Sequence, residues 1–306
     1  MDAVAQLIAA ALNAGTPLLL AALGVLVCER SGVVNLGIEG MMLVAAVVGF
    51  AAVHASGSYA LGFVAGAGAG MLLAGVFALL ALYLYNNQYA TGLALALLGT
   101  GLSAFIGLPY AGEGLPARGA DGWAALAGMP VVGPVLFAHH AMVYLAWVLL
   151  AAVAWFLFRS RGGLVLRAVG ESPESAHALG YPVRRIRLAA VLFGGACAGL
   201  AGAYLSTVYT PLWAEGMVSG RGWIALALVV FATWQPGRLL AGAYLFGGVS
   251  MLQLNLQASG VQIPAQWLSM TPYLATVLVL ALISHNPRWI WLNMPASLGK
   301  PFNANG

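Results

Sequence analysis

Charge is what this chain has least of. Only 7% of its 306 residues are charged, where a soluble domain carries about 25%. With 62% of the residues hydrophobic, no soluble fold could hide the apolar surface, so the class is a polytopic membrane protein. Lysine is nearly missing: Lys300, in Gly299-Lys300-Pro301, is the single one. A phosphate-binding P-loop needs Gly-Lys-Ser/Thr at the opening of a helix, which Lys300 cannot supply. Aspartate occurs only as Asp2 and Asp121. Both fall on the outer side in the topology below, which excludes an aspartyl-phosphate pump. The chain therefore has no recognisable route of its own to ATP hydrolysis.

Other absences narrow the class further. Cys28 and Cys197 are the two cysteines. They lie at or inside apolar runs and read as small packing residues rather than a disulfide or redox pair. Residues 1–12 hold Asp2 but no Lys or Arg, so the charged n-region of a signal peptide is missing. The arginines cluster beside apolar runs, not on an aromatic-bearing polar surface, which argues against nucleic acid.

What is plentiful is glycine, 40 residues, as expected where transmembrane helices pack closely. A crossing helix needs about 20 apolar residues. Nine runs qualify: 5–27, 33–53, 60–84, 89–109, 137–158, 188–208, 221–235, 239–258 and 269–287. The seventh is short, and the second begins in a glycine-broken stretch. The expected fold is all-α, with about nine transmembrane helices in a single transmembrane domain over 1–306. The outer loop 209–220 is apolar enough to lie on the membrane surface or dip into it. Trp213 there reads as an interface anchor, and the tail 288–306 reads as loose.

The longest polar break is Arg159–Arg187, with six arginines: Arg159, Arg161, Arg167, Arg184, Arg185 and Arg187. The positive-inside rule makes it cytoplasmic. Alternation then puts the N-terminus outside and the C-terminus inside, with ten basic residues inside against Arg118 and Arg221 outside. The break contains a short helix with both ends written out. Ser172 is a fit N-cap, Pro173 suits the first helical position, and Gly180 is a C-terminal stop. Glu174 in the first turn suits the helix dipole. Two turns are marginal alone in water, so something must hold them.

Polar residues near membrane depth are candidates for a solute path: Asn35, Glu39, Thr91, Thr100, Ser103, Gln253, Asn255 and Gln257. For each, helix–helix hydrogen bonding is the plainer reading. Asn35 and Glu39 share a face if their segment is helical. Glu39 is the one acidic residue that could sit within a span, where a structural role is favoured: capping the broken helix or pairing with Arg30. Two broken stretches, Ser31–Gly40 and Ser219–Gly222, are the best pointers to a transport site. Gly101-Leu102-Ser103 has the G-x-S form of a membrane protease, but no histidine is placed to activate Ser103, and a packing hydroxyl is the simpler reading. His139 and His140, with Glu113 and Asp121, lack metal-ligand spacing. A path of amides and hydroxyls suits a neutral, hydrogen-bonding solute.

Two stretches carry a family resemblance. Glu174-Ser175-Ala176-His177-Ala178-Leu179-Gly180 resembles the E-A-A-x-x-x-G motif of ABC-importer permeases, with Ser175 in place of the middle alanine. Glu29-Arg30-Ser31-Gly32-Val33-Val34-Asn35-Leu36-Gly37-Ile38-Glu39-Gly40-Met41-Met42 resembles the start of permeases in the branched-chain amino acid, simple sugar and nucleoside importer group, nearest the nucleoside branch. Gly220–Ala227 and Thr91–Leu95 are similar to further segments of that group. The resemblance implies a multi-pass protein of the bacterial cytoplasmic (inner) membrane that is not itself an enzyme. Its coupling helix would comprise Ser172, Pro173, Glu174, Ser175, Ala176 and Gly180, with Arg184 beside it. It further implies ATP bound by a separate cytoplasmic ATPase, no cofactor in this chain, a second permease subunit (same or different), an extracytoplasmic solute-binding protein and a nucleoside or simple sugar as cargo. The rival classes are an ion-coupled secondary carrier or channel, and a membrane enzyme.

Overall fold

The computed structural model describes residues 2–116, 133–258 and 293–303, with single positions between 264 and 278. The described residues form ten α-helices: α1 (Asp2–Arg30), α2 (Ile38–Ser56), α3 (Tyr59–Ala78), α4 (Gln88–Gly107), α5 (Ala141–Arg159), α6 (Arg161–Glu171), α7 (Pro173–Ala178), α8 (Val183–Tyr204), α9 (Arg221–Phe231) and α10 (Pro236–Ala258). Helices α3 and α8 run on through π-type turns, Leu79–Tyr83 and Leu205–Tyr209. Among the described residues the extended pairing is limited to one antiparallel bridge, Gly114 to Leu212.

Seven of these helices are long and apolar enough to cross a membrane: α1 to α5, α8 and α10. They take up the first six expected runs and the eighth. The seventh run, 221–235, does not make a full crossing helix. Its helix, α9, has 11 residues, about 16 Å of rise, against a hydrocarbon layer of about 30 Å. Both ends explain the shortness. Gly220 precedes it at φ 80°, and Thr233 and Trp234 follow it at φ 50° and 52°, a left-handed conformation that a continuing helix cannot contain. The ninth expected run, 269–287, lies outside the described residues apart from isolated positions.

Helices α1 and α2 form the centre, with 83% and 72% of their apolar windows buried. Glycine lets the others close on them. At the α3–α8 crossing, Gly66 and Gly70 face Gly195, Gly199 and Ala203 so closely that a methyl group on either would strike backbone or Ala203. At the α2–α4 crossing, Gly40 and Gly99 do the same. Without a hydrophobic drive between helices in lipid, such close backbone packing is what holds them. Pro17 sits inside α1, as membrane helices tolerate.

The bundle has two distinct ends. One gathers Arg30, Gln88, Arg187, α6, α7 and residues 293–303. The other gathers the Gly114–Leu212 bridge and Tyr59, whose hydroxyl donates to the Pro116 carbonyl at 2.9 Å. Expected polar loop and tail both turn out ordered. Arg161–Glu171 is a helix, since Ser160 caps it by accepting from Gly163 N–H at 2.9 Å. Arg184, Arg185 and Arg187 belong to the first turns of α8, not to a loop. The tail, expected to be loose, binds at 293–303: Ser297 N–H donates to Gly170 O and Gly299 N–H to Gly32 O, both at 3.0 Å.

Candidate functional site

Two places stand out: the short helix α7 at the arginine-rich end and a junction at mid-depth. Ser172 Oγ accepts from Ser175 N–H at 3.2 Å and donates to Ser175 Oγ at 2.8 Å, which satisfies one of the donors every helix start leaves free. Pro173 occupies the first turn, where its missing N–H is no loss. Gly180 takes φ +87°, the left-handed stop that glycine adopts without strain. Pro173 and Ala176 are buried, the latter in a small core with Val169, Val183 and Phe302. Glu174, Ser175, His177, Ala178 and Gly180 face outward, as does Leu179 at 78% exposure. Arg184 stacks over the Tyr85 ring and hydrogen-bonds its hydroxyl. The packing that a two-turn helix requires thus comes from α6, α8 and the tail.

The mid-depth junction joins the two broken stretches. Residues 31–37 climb outside helix from Arg30 to the start of α2. Glu39, 8% exposed, reaches across to the start of α9, where its carboxylate accepts from Gly220 N–H at 2.8 Å and Gly222 N–H at 2.7 Å. An acidic group at a helix N-terminus meets both free N–H donors and the positive end of the dipole. Its depth follows from α9 itself. The far end of α9 carries Trp234, whose indole N–H donates to Glu29 at 2.6 Å and whose carbonyl accepts from Arg30 at 2.8 Å, so Glu39 stands about 16 Å above that end. Helix α4 gives the same rise, from Gln88, which accepts from Val34 N–H, to Gly99, which abuts Gly40.

Glu39 therefore caps a helix, as favoured from sequence, but the helix is α9 rather than its own. It does not pair with Arg30, whose guanidinium donates to Trp234 O and Asn293 O. Asn35 lies before α2, so it shares no helical face with Glu39. It turns the chain instead, accepting from Gly37 N–H at 2.9 Å. Thr91 is buried on α4 beside Gly92, which abuts Leu36. Asn35 and Thr91 thus lie beside the break before α2, nearer the arginine-rich end than Glu39. Ser103 is elsewhere: buried on α4, its hydroxyl donates back to Thr100 O at 3.3 Å. Asn255 donates to Met251 O within α10.

A cavity of about 510 Å³ opens beside the start of α9, lined by Tyr209, Ser219, Arg221, Ser250, Gln253 and Met270 among others. Of these, Gln253 is a path candidate from sequence and Ser219 and Arg221 belong to the broken stretch Ser219–Gly222, whereas Tyr209 and Ser250 carry no local signal that separates them from other span-end polar residues. Trp213 is not an interface anchor. It is 3% exposed, and its indole fills the space over Gly107. His139 and His140 are spoken for by Asn13 and Val135 O, and by Met142 N–H. Asp121 lies outside the described residues.

A family model described as the permease component of the branched-chain amino acid transport system matches residues 7–283. The chain belongs to this permease family. Known relatives of the permease cover nearly its whole length. It is 43% identical to the "Putative glucose ABC transporter permease protein" of Haloferax volcanii, across 99% of each chain. It is 31% identical to a nucleoside ABC transporter permease of Lactococcus lactis, across 87% of this chain and 88% of the other. It is also 31% identical to a guanosine ABC transporter permease of Bacillus subtilis, across 90% of each. No solved structure matches it. With its apolar helices, the permease is a multi-pass protein of the cytoplasmic membrane.

Proposed function

We propose that this permease is the transmembrane subunit of an ATP-driven importer for a neutral polar solute, a nucleoside or a simple sugar. The whole chain acts as one translocating domain. It works with a cytoplasmic ATPase that docks on α7, a second permease subunit, an extracytoplasmic solute-binding protein and the surrounding lipid. ATP stays with the partner, and this chain carries no cofactor and performs no catalysis.

The observation that carries the reading is α7: a capped, two-turn helix that presents Glu174, His177 and Leu179 outward at the arginine-rich end. One face of this helix packs on the bundle, and the other, left outward, suits a groove on another protein. The cargo class follows from the junction. The start of α9 is where an anionic solute would find its donors, and Glu39 already occupies it. The cavity beside it offers a tyrosine ring, hydroxyls and an amide, the groups that bind a neutral hydroxylated solute, and its one cation, Arg221, already donates to Met217 O and Val218 O and lies over the Tyr209 ring. Relatives named for nucleoside, guanosine and glucose transport agree with that chemistry. A proton-coupled carrier would need an acid free to load, whereas both oxygens of Glu39 are engaged, and Glu29, which the structure also buries within α1, accepts from the Trp234 indole.

Co-purification tests the reading. The wild type, expressed with its cognate ATPase, should retain it. Deletion of residues 173–178, or Glu174→Arg, should release it and abolish uptake. Uptake that survives the deletion would refute the proposal.

A further inference from the structure

Residues 293–303 touch nearly every segment at the arginine-rich end. Ser297 N–H donates to Gly170 O at 3.0 Å and its hydroxyl to the same carbonyl at 2.6 Å, so the tail is fixed to the last turn of α6. Gly299 N–H donates to Gly32 O at 3.0 Å, fixing it also to the break that leads to Glu39. Phe302 closes the small core beneath α7, with its ring 5.6 Å from that of His177. Asn293 accepts from Arg30 at 3.0 Å through its carbonyl.

Arg187 clamps these parts together. It is 1% exposed, and its fork reaches two segments at once. Nε donates to Ser31 O, Nη1 to Lys300 O and Nη2 to Ser297 Oγ, each at 3.1 Å. Lysine, a single ammonium, cannot reproduce that planar geometry. From α7 the connections run through Gly170 to Ser297, through Arg187 to Ser31 and Gly32, and then along residues 33–37 to Glu39 and α9.

We propose that residues 293–303 are the strut that transmits displacement of α7 to the mid-depth junction, with Arg187 as its positioning residue. This rests on the reading of α7 as the ATPase handle. A two-turn helix seated on loose chain would yield when pushed. Seated on a hydrogen-bonded strut, it carries the push into the break before α2. The segment is hydrogen-bonded both to α6 and to Gly32, which suits it to that task better than to simple closure of the bundle.

The test uses the complete complex in vesicles and reads three quantities: ATPase retained, ATP hydrolysed, and solute taken up per ATP. Arg187→Lys should retain the ATPase and its basal hydrolysis within about twofold, the range of substitutions that leave a fold intact. Uptake per ATP should fall about tenfold, the effect of losing hydrogen bonds from a charged group. Ser297→Ala, which removes the acceptor for Arg187 and the hydroxyl donor to Gly170 O and adds no bulk, should lower that ratio about threefold. Lys300→Ala should leave it unchanged, because only the Lys300 carbonyl is used. Should Arg187→Lys fail to reach the membrane, Ser297→Ala decides. An unchanged ratio in Ser297→Ala would overturn the strut alone. A wild type that binds no ATPase would overturn the reading of α7, and the strut with it.

Discussion

Glu39 and Gly222 meet at 2.7 Å, carboxylate to backbone N–H, although 183 residues separate them in the chain. That contact, with its twin at Gly220, joins the two places where the helical pattern breaks, about halfway through the apolar layer. A carboxylate there would be costly if unpaired. Here it replaces the water that the first turn of α9 has lost.

Removal of the acid should therefore harm the fold as well as transport. Glu39→Ala leaves two buried N–H donors without an acceptor, at about 1–3 kcal/mol each. Glu39→Gln keeps one acceptor and should cost about half as much. Thermal unfolding of the purified permease in detergent should rank wild type above Gln above Ala. Equal midpoints for all three would show that the contact contributes nothing.

The other end of α9 makes a matching prediction. Trp234→Phe keeps the ring but removes the indole N–H that Glu29 accepts at 2.6 Å. Loss of this buried hydrogen bond should destabilise by about 1–3 kcal/mol. Trp234→Gly would relieve the left-handed backbone but leave a large void, and should be worse. Melting curves check the order. A Phe variant as stable as wild type would show that Glu29 has another partner.

Glycine spacing on α3 can be tested within a single helix. Gly70 lies against Gly195 and Gly199, with Gly199 Cα 2.9 Å from where a Cβ would stand, whereas Gly68 has nothing within 4 Å. Gly70→Val should abolish folded protein, and Gly68→Val should express within about twofold of wild type, since a side chain there meets open space and changes away from packed contacts seldom exceed about 0.5 kcal/mol. Fluorescence-detected size exclusion of tagged variants reads this directly. Two similar profiles would refute the α3–α8 packing.

Much of this was legible in sequence, for reasons that differ from part to part. The long helices follow from apolar run length, and their ends agree to within a few residues except where charge misleads. Arg184, Arg185 and Arg187 look like loop residues, yet they open α8, because Arg187 finds buried carbonyls to donate to. The ends of α7 were readable because caps are local: Ser172, Pro173 and Gly180 act on neighbours. Helix α6 was hidden by Gly162 and Gly163, which look like breakers but let the helix press on the end of α5 at Phe156 and Leu157. The shortness of α9 rests on two left-handed non-glycine residues, Thr233 and Trp234, and no propensity marks those. The partner of Glu39 was out of reach because the contact is remote in sequence. The tail was misread because small polar residues look the same whether solvated or bonded to carbonyls far away.

The cavity beside α9 makes a prediction about the proposed solute path. Gln253 and Tyr209 line it and Asn255 does not. Gln253→Leu should raise the KM for uptake about tenfold, the loss of one well-placed hydrogen bond to the solute. Asn255→Ala should change it by less than about twofold. Saturation curves with a radiolabelled nucleoside or sugar give both values. The reverse order would move the path to the other face of α10.

The most direct test places the purified permease in sealed vesicles, with and without its ATPase and binding protein. Solute should concentrate inside only when the ATPase and ATP are both present. Accumulation driven by the permease alone, or by an ion gradient without ATP, would contradict this account.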